Sequence, residues 1–127
     1  MNASVLVVDD NAANVRLLRV LLEREGYEVQ TAVHAEDALR ILSMFNPRMI
    51  LMDVQLPGMD GLELTRRLKA DVATKDIVIL ALTASGSMGD KEEALAAGCD
   101  GYVAKPIEVA SLPRVIAKYL AAQPATP

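Results

Sequence analysis

Three carboxylates, a hydroxyl and an ammonium stand where apolar runs of this chain give way to polar residues. Val5-Leu6-Val7-Val8 leads into Asp9-Asp10, and Met49-Ile50-Leu51-Met52 leads into Asp53. Ile77-Val78-Ile79-Leu80-Ala81-Leu82 ends at Thr83-Ala84, and Gly101-Tyr102-Val103-Ala104 ends at Lys105-Pro106. Gathered together, such carboxylates suit a hard cation. Mg²⁺ takes oxygen donors and retains several waters, so one or two carboxylates and a phosphate oxygen suffice for it. Asp10 and Asp53 are the expected direct ligands, Asp9 acts through water, and the Gln55 backbone carbonyl fills another position. Asp53 is the candidate nucleophile, because a carboxylate can accept a phosphoryl group as an aspartyl phosphate. Phosphoryl transfer asks the protein mainly for in-line positioning and neutralisation of the equatorial oxygens. Mg²⁺, Lys105 and the Thr83 hydroxyl would meet that need, with Ala84 and Ala104 as small neighbours keeping the approach open.

These groups can act together only if the elements carrying them converge. Continuous apolar runs suit strands buried on both faces of a parallel sheet, and such sheets bind ligands beyond the carboxyl ends of their strands. Strands are expected over 5–8, 28–32, 49–52, 77–82 and 102–104, the second more polar and so at a sheet edge. Between them fall a helix capped by Asn11 and running to about residue 25, where Gly26 stops it, and helices over roughly 35–45, 62–70 and 91–97. A last helix ends near residue 120. Five βα units with right-handed crossovers give an α/β, doubly wound, five-stranded parallel sheet of order 2-1-3-4-5, a flavodoxin-like (βα)5 arrangement. Pro113 leaves two possibilities. A helix capped by Ser111 tolerates it in the first turn, whereas one beginning near Glu108 must kink.

With 127 residues, 52% of them hydrophobic, the chain reads as a single domain with a real core. The core spans about residues 4–121, and 122–127 form a Pro/Ala tail or the start of a linker. No charged-then-apolar leader precedes the first strand and no apolar stretch is long enough to span a bilayer, which predicts a cytoplasmic protein without membrane insertion. Seventeen acidic residues against 13 basic ones give a net charge of −4, and aromatics make up 3% with no Trp. Direct nucleic-acid binding, which needs basic patches or stacking platforms, is therefore not expected. Cys99 is the only cysteine, so neither an internal disulfide nor a multi-cysteine metal site is available.

Asp9-Asp10, the segment from Leu51 through Asp53, Pro57 and Asp60-Gly61, then Thr83-Ala84 and Lys105-Pro106-Ile107, together resemble the receiver domain of two-component response regulators. The likeness covers nearly the whole chain and is nearest to single-domain regulators of the DivK type, with receivers at the ends of hybrid kinases also similar. It implies that Asp53 takes a phosphoryl group from phosphohistidine on a sensor histidine kinase or a histidine phosphotransfer protein. It also implies that Thr83 and Tyr102 form a switch pair. The hydroxyl would move toward the phosphate and the ring would turn inward, so that the face of the fourth helix, fifth strand and fifth helix exchanges downstream protein targets. A cis Lys105–Pro106 bond and a monomer or weak homodimer belong to the same expectation. Gln55 and Ser85, two residues beyond Asp53 and Thr83, would flank the phosphoryl group.

Other functions fit less well. A phosphatase of the haloacid-dehalogenase kind needs a general acid two residues after its nucleophile, and the Gln55 amide cannot serve. A nucleotide-binding module needs a glycine-rich cradle, whereas Asp9-Asp10-Asn11-Ala12-Ala13 repels phosphate. The expectation is thus a signalling receiver and not an enzyme, with Mg²⁺ its only cofactor. His34 reads as a surface residue, Cys99 as a buried inert thiol, and Glu23-Arg24-Glu25 as a solvated helix face.

Overall fold

The computed structural model describes residues 3–54, 60–84 and 88–122. Five strands, β1 (Ser4–Val8), β2 (Glu28–Ala32), β3 (Met49–Asp53), β4 (Val78–Ala84) and β5 (Gly101–Lys105), form one parallel sheet of order β2-β1-β3-β4-β5. They alternate with helices α1 (Ala12–Arg24), α2 (Ala35–Leu42), α3 (Gly61–Ala70), α4 (Met88–Ala97) and α5 (Leu112–Ala122). The expected fold class and strand order are those observed.

The pleat sorts each strand's side chains between two cores. Val5, Val7, Met49, Leu51, Leu80 and Leu82 pack with Leu18 and Leu22 of α1 and with Leu112 and Ile116 of α5. Leu6, Val8, Ile50, Met52, Ile79 and Ala81 pack on the other side with Ala35 and Ala38 of α2, Leu64 and Leu68 of α3, and Ala94 of α4. Burial of both faces explains why the central strands are apolar throughout. It also confines polar residues to the strand ends.

Local chemistry sets the helix ends. The Asn11 side chain accepts from the Asn14 N–H at 3.1 Å and caps α1, and Gly26 follows it at φ 90°. Asp60 caps α3 through the Glu63 N–H at 2.8 Å. α2 stops at Leu42, three residues short of expectation. There Ser43 turns its hydroxyl onto the Arg40 carbonyl at 2.6 Å, and Phe45 reaches the core from outside the helix. α4 starts at Met88, earlier than expected, and β4 extends through Ala84, which pairs in register with Lys105. α5 begins at Leu112, with the Val115 N–H donating to the Ser111 carbonyl at 3.2 Å, so Pro113 lies in the first turn and the tolerated alternative is the real one. The expected tail beyond Ala122 lies outside the described residues.

Candidate functional site

The residues singled out at the strand ends meet at one edge of the sheet. Asp9 follows Val5 and Val7 at a spacing of two, Asp53 follows Met49 and Leu51, and Lys105 follows Val103. All three therefore project toward the α1/α5 side. The Asp9 N–H donates to the Ala32 carbonyl at 3.0 Å, which extends the sheet one residue past β1 and fixes the carboxylate there. Asp9 is 0% exposed and Asp53 4% exposed, whereas Asp10 faces solvent. One carboxylate oxygen from each of Asp9, Asp10 and Asp53 lies within 4.8 Å of the others.

Lys105 holds this cluster from the far side. Its Nζ lies 3.3 Å from Asp9 Oδ2 and 3.3 Å from Asp53 Oδ2, bridging β1 and β3 from β5. Asp9 has further partners: Oδ1 accepts from the Asn11 N–H at 2.9 Å, and Oδ2 accepts from the Asn14 amide at 3.4 Å. Among the described residues, three carboxylates against one ammonium leave an excess of negative charge, with Asp10 facing solvent. An all-oxygen donor set with unbalanced charge is the chemistry that fits Mg²⁺. Gln55 and Ser85, expected to line the site, lie outside the described residues, as does most of the turn around Pro57.

Thr83 stands on β4, one residue beyond Leu82, which is paired with Asp53 across the β3–β4 ladder. It is 0% exposed, and its Oγ1 has no hydrogen-bond partner among the described residues. A buried hydroxyl left unpaired costs about 1–3 kcal/mol. Tyr102 lies on the edge strand β5, 40% exposed, with Lys91 Nζ 5.0 Å from its ring centroid. The Lys105–Pro106 peptide bond is cis.

Sequence reasoning missed several residues that shape the site. Asn14 was legible only as a helix residue, yet its position three after the cap turns its amide back onto Asp9. Gly61 stands against the Asp53 backbone, where a Cβ would lie 2.0 Å from the Asp53 carbonyl oxygen. Away from the site, His34 does more than face solvent: its Nδ1 accepts from the Asp37 N–H at 3.1 Å and caps α2. Cys99 is buried as expected, and burial pushes its thiol above the ordinary value, with the Thr65 hydroxyl 3.8 Å away opposing that shift.

Comparison with known proteins gives this geometry its context. Residues 5–117 match the family described as the response regulator receiver domain. The polar-differentiation response regulator DivK of Brucella ovis is 40% identical over 120 residues, covering 94% of this chain and 98% of that protein. A Chloroflexus aurantiacus protein assigned as a response regulator superimposes with a TM-score of 0.92 at 36% identity, over 95% of this chain and 99% of its own. The receiver domain of the sensor histidine kinase PA1611 from Pseudomonas aeruginosa, solved with a magnesium ion coordinated in its active-site cleft, gives a TM-score of 0.87 at 33% identity. That match covers 96% of this chain and all of that one, 100%.

Proposed function

The chain belongs to the response regulator receiver domain family, and from that premise we propose that it is a phosphorylation-controlled switch of a two-component or phosphorelay system. The donor is phosphohistidine on a sensor histidine kinase or a histidine phosphotransfer protein. An Asp53 carboxylate oxygen attacks phosphorus, the P–N bond breaks, and its electron pair returns to the imidazole nitrogen. The product is an acyl phosphate on Asp53; attack of water on phosphorus breaks the P–O bond to the carboxyl, releases inorganic phosphate and restores the carboxylate. The protein thus takes part in its own phosphorylation and dephosphorylation without turning over a diffusible substrate.

The observation that carries this reading is Lys105 Nζ at 3.3 Å from both Asp9 and Asp53, behind a carboxylate cluster whose Asp10 faces solvent. Lys105 fixes the Asp53 carboxylate before transfer and can follow the phosphoryl oxygens afterwards as a mobile point charge. Thr83 Oγ1, unpaired among the described residues, donates to a phosphoryl oxygen. Asp10 and Asp53, with Asp9 through water and the Gln55 carbonyl, would hold Mg²⁺. Bound there, the ion neutralises charge on the phosphoryl oxygens.

Movement of Thr83 toward the phosphate frees the space that Tyr102 enters, and the α4–β5–α5 face changes its downstream protein target. Phosphorylation adds charge and acceptor oxygens at one point, and a two-state element converts that event into a change of surface. The protein acts in the cytoplasm as a monomer or weak homodimer and does not contact nucleic acid directly. No helix among the described residues is long and apolar enough to cross a membrane.

Intact mass after incubation with Mg²⁺ and acetyl phosphate tests the assignment. One phosphoryl adduct is expected, abolished by EDTA and absent from Asp53→Asn. Absence of any adduct, together with failure to bind beryllofluoride, would leave a phosphorylation-independent binding module.

A further inference from the structure

Lys91 and Tyr102 form a contact between α4 and β5 that the phosphoryl chemistry does not require. Lys91 Nζ lies 5.0 Å from the Tyr102 ring centroid, within the range of a cation–π interaction. Among the described residues no carboxylate lies within ion-pair distance of Lys91, so the ring is the partner its charge finds. The ring is 40% exposed, with the ammonium over its face.

The sheet register shows what this contact opposes. Tyr102 pairs with Ala81 and Ala104 pairs with Thr83, so all four side chains project to the side occupied by α4. Along β5 the small Ala104 lies between Tyr102 and the strand's carboxyl end, and it is the residue paired with Thr83 on β4. The Thr83 hydroxyl is buried with no hydrogen-bond partner among the described residues, so a change on this side of the sheet could give it one. A ring turned inward along β5 would move toward that end of the sheet and leave Lys91 behind.

We propose that Lys91 is a latch that holds Tyr102 in its outward position and thereby sets the resting bias of the switch. The inference rests on the phosphorylation-switch reading for its consequence, though the latch itself is a property of the unmodified protein. A cation–π contact at a partly exposed site favours one state by roughly two- to fivefold. Removing it shifts the outward-to-inward ratio by that factor. A ligand that selects the inward state then binds more tightly, because its apparent affinity scales with the fraction already competent.

The test labels the three tyrosines with meta-fluorotyrosine and assigns Tyr102 by its loss in Tyr102→Phe. Fluorine NMR of the unphosphorylated protein then reads the ring populations in wild type, Lys91→Met and Lys91→Arg. Methionine keeps an unbranched stem without the charge, and arginine restores a cation over the ring. The expected result is a roughly two- to fivefold fall in the outward-to-inward ratio for Lys91→Met and its recovery in Lys91→Arg. Unchanged populations in Lys91→Met overturn the latch, as does failure of Lys91→Arg to restore them. Beryllofluoride titration of the same proteins separates the two ideas. A ring that responds to Lys91 in a protein that binds no beryllofluoride keeps the latch and removes the phosphorylation switch. Tight beryllofluoride binding with an unresponsive ring does the reverse.

Discussion

Gly61 opens α3 directly against Asp53: a Cβ built on it would lie 2.0 Å from the Asp53 carbonyl oxygen and 2.9 Å from the carbonyl carbon. Its N–H donates to the Val54 carbonyl at 3.4 Å, so the start of α3 is tied to the residue after the proposed nucleophile. The neighbour is backbone and cannot swing aside. Gly61→Ala must displace either the helix or Asp53. Overpacking of this kind costs about 1–3 kcal/mol, read as a lower urea midpoint. A nucleophile moved by a fraction of an ångström to one ångström should lose on the order of ten- to a hundredfold in its initial rate with acetyl phosphate. A variant with unchanged rate would mean that the whole strain is taken up by α3.

The four strand ends were legible because two signals coincide there. An apolar run names the buried strand, and the first polar residue after it names the sheet edge. Asp9, Asp53, Thr83 and Lys105 all obey that rule, and the parallel order then brings them together. Helix ends were less legible where side chains compete with pattern. Phe45 extends the apolar periodicity of α2, but Ser43 bonds the Arg40 carbonyl and the helix stops before it. His34 could not be recognised as a cap, since a neutral imidazole caps only where its acceptor nitrogen faces the helix start. Gly61 and Lys91 lay beyond sequence reasoning for a different reason. Their importance is a distance to a residue 8 or 11 positions away, created only when helix and strand dock.

Neutralising Asp10 should stabilise the metal-free protein. Asp10 is the solvent-facing member of a cluster whose three carboxylate oxygens lie within 4.8 Å of one another. Like charges at that distance in a water-like dielectric repel by about 1 kcal/mol per pair, and Lys105 offsets part of the two pairs that Asp10 makes, so Asp10→Asn should gain about 1 kcal/mol. Urea unfolding in EDTA reads that gain. Mg²⁺ should reverse the order, since a ligand at a hundred times its Kd adds about 2.7 kcal/mol to the protein that binds it. Equal responses of the two proteins to Mg²⁺ would remove Asp10 from the ligand set.

The start of α2 should weaken in acid. A side-chain hydrogen bond from the Arg40 guanidinium holds the Asp37 carboxyl below its ordinary value of 3.8, with partial desolvation opposing and the Val33 N–H adding to the effect. A carboxyl depressed on folding contributes stability that is fully present above 3.8 and is lost as pH falls from there through the lower folded value. The pair is largely solvated, so its worth is screened to about 0.3–0.5 kcal/mol. The difference in unfolding free energy between wild type and Asp37→Asn should be constant near neutrality and vanish only below that window. A difference that persists unchanged well below pH 3.8 would show that ionisation of Asp37 is not its source.

Lys69 offers the clearest separation of fold from function. Its ammonium donates to the Lys75 carbonyl at 3.2 Å, the Ile77 carbonyl at 2.7 Å and Asp100 Oδ2 at 2.9 Å, so all three donors are used. Asp100 Oδ2 also accepts from the Ile79 N–H at 2.8 Å. One side chain on α3 thus ties the approach to β4 to the approach to β5, at the end of the sheet opposite the carboxylates. Its stem is confined as well: a Cβ on Gly98, whose φ is +110°, would lie 3.0 Å from Lys69 Cγ. Lys69→Met keeps that stem and removes every bond. Hydrogen bonds to charged groups contribute about 1.5–3 kcal/mol, and with Asp100 partly solvated the loss should fall near the lower figure. Lys69→Arg should not restore it, because a planar guanidinium fork cannot face two carbonyls and a carboxylate arranged around a single point. The acetyl phosphate rate should stay within about twofold of wild type in both variants, since substitutions away from a site usually act independently of it. A fall in that rate while the protein remains folded would mean that tension at the amino ends of β4 and β5 reaches Thr83 and Lys105 along the strands themselves.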